Sequence, residues 1–267
     1  MLQRAVAIAA CLCAAGLADP RAAQAADAFD TVVLDAGHGG EDTGARSASG
    51  MLEKDLVLRV ARTLGERLRQ HGLRVVLTRN SDKFVPLEER TSIANDARGD
   101  LFVSIHANAT EDPAIRGTET YFLALEASDE GARRVAAREN EAFGKAAGGI
   151  AAVQDPFIAL IGDMIATEHL QESSLLARAI QGELASTPLR SRGVKQALFV
   201  VLNGVQMPAA LVEIGFVTSP SDEATLRSGT GSRALVDALE RAVLAYGKRH
   251  AERLGAPEAK ARSRTGP

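Results

Sequence analysis

The sequence predicts an α/β domain built on a mostly parallel sheet. Short runs of β-branched and apolar residues recur along the chain, at 31–36, 74–78, 101–106, 117–123, 197–201 and 209–214. Helical apolar spacing fills most of the intervals between them, an alternation that places crossover helices between strands. Two of the runs close on a histidine: Thr31-Val-Val-Leu-Asp-Ala-Gly-His38 and Asp100-Leu-Phe-Val-Ser-Ile-His106. Both imidazoles are therefore expected at strand carboxyl ends, where open α/β sheets place their ligand crevice.

Each element has its own signal. After the first strand, the glycines of Gly37-His-Gly-Gly-Glu-Asp-Thr-Gly44 permit tight turns. Residues 54–70 carry Leu56, Val57, Val60, Ala61, Leu64 and Leu68 at helical spacing and stop at Gly72, a C′-type glycine. A second helix is predicted over 86–97, with Pro86 in its first turn. Gly117 to Leu123 alternates as a strand. From Glu126 regularity lapses: 129–144 is charged and helical in period, 146–153 is small, and Asp155 to Met164 is apolar. Helices are expected again over 173–184 and 232–250, and no internal repeat is present.

The predicted organisation is a signal peptide over 1–25, a catalytic domain over 26–250 with an insertion at 126–172, and a disordered charged tail over 251–267. Arg4, the apolar stretch Ala5 to Leu17 and the small-x-small sequence Ala23-Gln-Ala25 support export, which implies a periplasmic location. That stretch falls short of the ~20 apolar residues of a membrane span. Cys11 and Cys13 are the only cysteines and leave with the signal, so a zinc site must use histidine and carboxylate, the catalytic pattern. A net charge of −3 offers no basic stripe for nucleic acid, and 4% aromatics with no Trp offers no sugar-stacking platform.

The third candidate ligand is Glu53, at the start of the first long helix and just after the Gly-rich loop. A first-turn acid favoured by the helix dipole is the bland alternative. With His38 and His106 it makes a His₂Glu set that leaves zinc an open position for water. Glu213, inside Ala-Ala-Leu-Val-Glu213-Ile-Gly, is an acid in a buried strand, either a structural ion pair or a general base. Asp35 and Asn108 are candidates to hydrogen-bond the ligand imidazoles, or to serve ordinary loop hydrogen bonding. Glu41, Asp42 and Glu119 read as solvated or turn-forming acids, and His71, His169 and His250 as surface residues.

Leu34-Asp-Ala-Gly-His38-Gly-Gly-Glu-Asp-Thr-Gly-Ala, Glu53-Lys-Asp, Ser104-Ile-His106-Ala-Asn108-Ala and Val212-Glu213-Ile-Gly-Phe-Val together resemble the zinc-dependent N-acetylmuramoyl-L-alanine amidases of the type-3 family. The resemblance runs from Thr31 to Tyr246. It implies a single α/β domain with a twisted mixed sheet of about six strands, one zinc held by His38, Glu53 and His106, Glu213 as the catalytic carboxylate, and peptidoglycan as the substrate. The chain is also similar to division-associated amidases of Gram-negative bacteria, which implies a role in separating daughter cells and an insertion that blocks zinc until a periplasmic activator displaces it. Glu126, Glu130, Glu139 and Glu141 are then candidates to fill zinc's open position. Two other readings remain: a zinc carboxypeptidase acting within stem peptides, and a non-catalytic peptidoglycan-binding protein, against which Glu213 argues.

Overall fold

The computed structural model describes residues 29–141 and 167–253. The predicted signal peptide, the middle of the insertion with Asp155 to Met164, and residues 254–267 of the expected tail lie outside the described residues. Six strands form one mixed sheet in the order β2-β1-β3-β6-β4-β5. They are β1 (Thr31–Ala36), β2 (Arg74–Leu77), β3 (Leu101–Asn108), β4 (Thr118–Leu123), β5 (Ser191–Ala197) and β6 (Ala209–Phe216). All neighbours pair in parallel except β4 with β6, as the predicted α/β class requires. The helices are α1 (Glu53–Gln70), α2 (Leu87–Asp96), α3 (Glu130–Glu139), α4 (Thr167–Leu184), α5 (Pro220–Arg227) and α6 (Gly229–Arg253).

Two apolar layers cover the sheet. On one face Val32, Leu34, Val103, Ile105, Ala210 and Val212 pack with Leu56, Val60 and Leu64 of α1, Leu176 and Ile180 of α4, and Leu235 and Leu239 of α6. On the other, Val33, Phe102, Tyr121 and Leu211 pack with Leu87 and Ala94 of α2 and Ala132, Val135 and Ala136 of α3. Alternate residues of one strand thus serve different layers, the period-2 geometry of a sheet covered on both faces. Helix α1 stops where predicted: Gly72 has φ +86, and Leu73 N–H donates to Leu68 O in a Schellman closure.

Three elements have boundaries that differ from the sequence reading, and one helix is new. The fifth strand is Ser191–Ala197 rather than 197–201, because half-exposed Arg192, Val194, Lys195 and Gln196 suit an edge, whereas Phe199 to Leu202 are buried and turn through a 3₁₀ segment, Val200–Leu202. Helix α4 begins six residues before Ser173, so the end of the 126–172 insertion is regular helix. Helix α6 continues to Arg253, into the expected tail, and α5 was not anticipated. Asp222 of α5 is buried, with its Oδ2 accepting from the Gly117 and Phe216 N–H groups at 2.6 and 3.0 Å, which ties this short helix to the ends of β4 and β6.

A polar cluster lies beneath the strand ends. Asp35 of β1 is fully buried and accepts hydrogen bonds from Arg90 Nη1, Ser104 Oγ and Thr78 Oγ1. Burial pushes its carboxyl upward, but Arg90 and the Ser104 and Thr78 hydroxyls outweigh that and hold it below the usual carboxylate range. A depressed carboxyl stabilises the fold above its unfolded pKa of ~3.9, and the contribution is lost as pH falls through the folded value. Asp35→Asn should therefore lose about 3 kcal/mol in urea unfolding at pH 7, since it strands a buried guanidinium. The deficit relative to wild type should shrink toward pH 3; a deficit independent of pH would mean that the charge is not responsible.

Candidate active site

Because β1, β3 and β6 run parallel, their carboxyl ends meet at one edge of the sheet. Ala36 pairs with Ile105, and His106 pairs with Glu213. His38 lies two residues beyond β1 in the left-handed region, φ 58, where non-glycine residues are uncommon and a surrounding scaffold is needed. Two buried arginines supply that scaffold. Arg90 donates to Ala36 O at 2.7 Å and His38 O at 2.8 Å, and Arg79 donates to Ala36 O at 2.8 Å, Gly37 O at 2.7 Å and Lys54 O at 2.8 Å. Lys54 Nζ and Asp82 secure Gly40, two residues on, bonding its O and its N–H.

Glu53 opens α1 with no exposed surface. Its Oε2 accepts from the Ala45 N–H and its Oε1 from the Ala107 N–H, both at 2.8 Å, which fixes the carboxylate between the loop and β3. His38 Nε2 stands 3.0 Å from Glu53 Oε1, and His106 Nδ1 stands 3.3 Å from the same oxygen. The two rings meet edge to face, 4.9 Å between centroids. The structure thus brings His38, Glu53 and His106 together. His38 Nδ1 bonds Asp42 Oδ2 at 3.0 Å, so Asp42 is both the turn former expected from sequence and the residue that orients this ring. Asp35 and Asn108 do not orient the imidazoles: Asp35 bonds Arg90, and Asn108 donates to Glu119. His169 is exposed, His71 Nε2 contacts Glu240 Oε1 at 2.7 Å, and His250 stacks on Tyr246; none of the three reaches the cluster.

A second carboxylate enters from the insertion. Glu139, at the end of α3, places Oε2 2.7 Å from His106 Nδ1 and 3.3 Å from His38 Nε2. Glu126 and Glu130 do not belong to this group; Glu130 lies near Arg133 and Arg134 at the exposed start of α3. Arg138 donates from Nε and Nη2 to Glu139 Oε1 at 2.9 and 2.8 Å and from Nη1 to Ala109 O at 2.8 Å. Its Nη2 also lies 3.8 Å from Glu213 Oε1.

The donor atoms fit a cation. His38 Nε2, Glu53, His106 Nδ1 and Glu139 offer ligand atoms all within 4.8 Å of one another, and a tetrahedral metal with ~2.0 Å bonds spaces its ligands by ~3.3 Å. His38 Nε2, His106 Nδ1 and Glu139 Oε2 are buried without a hydrogen bond, an arrangement that a bound ion would satisfy. Burial disfavours a charged His38 ring, yet Glu53, Asp42 and Glu139 together raise it well above its ordinary value. Burial likewise opposes charge on His106, but Glu139 and Glu53 raise it to about 9. The carboxylates around both rings thus favour positive charge between them, the charge that a divalent cation would supply.

Glu213 lies beside this group on β6, fully buried, with neither oxygen in a hydrogen bond. Burial and the Glu139 charge push its carboxyl well above the usual range, which suits an acid that takes and returns a proton.

A family model for N-acetylmuramoyl-L-alanine amidases matches residues 32–245, most of the chain and every element that builds this site. The chain belongs to the N-acetylmuramoyl-L-alanine amidases. This amidase is 36% identical over 218 residues to AmiA of Escherichia coli (strain K12), covering 80% of this chain and 75% of that relative. It is 36% identical over 219 residues to AmiC of Neisseria meningitidis serogroup B, covering 80% of this chain but 52% of that longer protein. Among solved structures, AmiC2 of Nostoc punctiforme superposes with a TM-score of 0.63 at 29% identity, covering 84% of this chain and 99% of that one. The enzyme is thus a hydrolase of the amidase class, with the predicted single α/β domain.

Sequence reasoning missed Arg79, Arg90 and Arg138 in the amidase site. An arginine among apolar helix positions, as in Val85-Pro-Leu-Glu-Glu-Arg90, carries no sign of where its guanidinium goes. It also missed a steric constraint at Gly37, where an added Cβ would fall 2.3 Å from His106 Cε1. Gly37→Ala should keep the far-ultraviolet circular dichroism spectrum of the wild type while weakening metal affinity at least about tenfold, the scale seen when support around a metal ligand is lost. Unchanged metal affinity, measured by chelator competition, would show that the His106 ring can move aside freely.

Proposed function

We propose that the protein is a zinc-dependent enzyme that hydrolyses the amide joining N-acetylmuramic acid to L-alanine in peptidoglycan. The observation that carries this reading is the row formed by His38, Glu53 and His106 with Glu213 directly across the strand pair. His38, Glu53 and His106 hold the metal, and their set of two nitrogens and one carboxylate suits zinc. Zinc there supplies Lewis-acid polarisation of the scissile carbonyl and acidification of water. Glu213 accepts a proton as water adds to the carbonyl carbon, then delivers it to the amide nitrogen as the carbon–nitrogen bond breaks. The products are a lactyl carboxylate on the glycan and a peptide with a free amine. Membership of the amidase family favours this reading over a carboxypeptidase or a binding protein.

Helix α3 is the inhibitory element of the same site. Its Glu139 takes the position that water and substrate need, and Arg138 lies beside Glu213. A periplasmic activator that binds the withdrawn form of the 126–172 insertion shifts the balance by its differential affinity for that form. On this reading the enzyme is exported by residues 1–25 and works in the periplasm, with a role in daughter-cell separation. No helix among the described residues is long and apolar enough to cross a membrane.

Zinc-loaded protein incubated with purified peptidoglycan should release peptides that begin with L-alanine, read by mass spectrometry. Shortened peptides still attached to muramic acid would reject the amidase in favour of a peptidase. Glu213→Gln should bind zinc normally and lose about 10²-fold or more in turnover. Glu139→Ala should raise partner-free activity at least about tenfold in a folded, zinc-loaded protein; equal rates would remove Glu139 from the regulatory role.

A further inference from the structure

A groove of about 740 Å³ opens between the loop after β3 and the edge strand β5, with α3 as its wall and Glu119, the cross-strand neighbour of Glu213, among its lining residues. Its floor carries a charge cluster that neither the metal group nor the proton transfer uses. Glu119 Oε1 receives Arg192 Nε at 2.7 Å and Lys195 Nζ at 2.9 Å. Glu119 Oε2 accepts from Tyr121 Oη at 2.6 Å and Asn108 Nδ2 at 3.3 Å. Burial pushes Glu119 up, but the Tyr121 hydroxyl, Arg192 and Lys195 together hold it below the usual range, so it remains a carboxylate. The guanidinium of Arg192 also lies over the Phe216 ring, 5.5 Å from its centroid. The second anion at Lys195 comes from α3: Asp129, the N-cap of that helix, sets Oδ2 3.2 Å from Nζ while Oδ1 accepts from the Ala132 N–H.

Two cations therefore face two carboxylates while α3 is in place, and one of those carboxylates is the N-cap of α3 and would be withdrawn with it. What remains is Arg192 and Lys195 against Glu119 alone, a site with one unmatched positive charge that lines the groove. Its distance from the chemistry follows from register. Glu213 pairs with Glu119 across β6 and β4, and β5 is the next strand. Two strand spacings of ~4.8 Å separate the β5 backbone from that of β6 by ~10 Å, and the two side chains reach back to Glu119 between them, so the cations lie within the reach of about three extended residues from Glu213.

We propose that Arg192 and Lys195 form a carboxylate-binding subsite for the peptide side of the substrate, specific for an acidic group two or three residues beyond the scissile amide, and that Asp129 occupies it when α3 is closed. This inference rests on the amidase reading above and adds a specificity determinant to it. Helix α3 then blocks the site at two points with two carboxylates, Glu139 at the metal group and Asp129 at the peptide subsite. A charge-assisted hydrogen bond in a partly buried groove is strong enough to select an acidic peptide over its amide.

The test uses the zinc-loaded full chain carrying Asp129→Asn and Glu139→Ala, which frees both positions. The probes are N-lactyl-L-alanyl tripeptides whose second residue carries either a free carboxylate or the matching amide. KM and kcat are measured for each, and dissociation constants are measured with Glu213→Gln added to stop turnover. The free carboxylate is expected to bind at least about tenfold more tightly, with the difference in KM rather than kcat. Lys195→Met with Arg192→Gln should reduce that preference below about twofold, and Lys195→Arg should keep it, which separates a lost charge from a damaged edge strand. Equal affinities for the two peptides, undetectable binding of both, or a preference that survives the double substitution would each overturn the subsite. Carboxylate-dependent binding without amide cleavage by the Glu213 form would instead reject the amidase reading and leave the subsite standing.

Discussion

The loop between β1 and α1 is held by two arginines that donate to the carbonyls of three successive residues, Ala36, Gly37 and His38. The backbone of His38 is in a left-handed conformation that an imidazole-bearing residue does not adopt freely. Buried carbonyls need partners, and a guanidinium offers five donors in a fixed fork, so one side chain can satisfy several at once. The Arg90 charge is in turn matched by Asp35 beneath the strand ends. Without this support the His38 backbone would not hold that conformation, and the ring that Asp42 orients would not meet His106 and Glu53.

The site's electrostatics follow from crowding several acids into a dry place. Glu53, Glu139 and Glu213 are all buried, yet their environments push their titrations apart. Facing the imidazoles, Glu53 is held at about 2 despite its burial, whereas Glu213, opposed chiefly by burial and by Glu139, is driven upward. The first behaviour suits a permanent anion that holds a cation, and the second suits a proton carrier. Helix α3 changes this balance because it contributes a carboxylate and a guanidinium to the same space. Its anchorage is polar at both ends, through Asp129 on Lys195 and through Asn140, which bonds Leu198 O and the Val200 N–H. Between them Ala132, Val135 and Ala136 supply a modest apolar contact.

Much of the architecture was legible because periodicity reports burial directly. Strands β1, β3 and β6 are buried along their whole length and read as continuous apolar runs, while α1 reads from its heptad-like spacing. The edge strand β5 was misplaced because Ser191-Arg-Gly-Val-Lys-Gln lacks the apolar content of a covered strand, and the buried run after it looked more strand-like than the strand itself. Helix α5 was overlooked because eight residues with one apolar anchor at Leu226 give no period to detect.

Sequence alone determined the α/β class, the strand ends at which His38 and His106 emerge, and the pairing of those histidines with Glu53 and Glu213 as candidates, because residue type and local spacing carry that information. Tertiary structure decided which carboxylate of the insertion meets the imidazoles, since only the packing of α3 on the sheet buries Glu139 and leaves Glu126, Glu130 and Glu141 exposed. It also decided which acid orients His38, where Arg79, Arg90 and Arg138 send their guanidinium groups, and that Arg192, Lys195 and Glu119 share one groove. Long polar side chains reach partners far away in sequence, and only the packed fold specifies those partners.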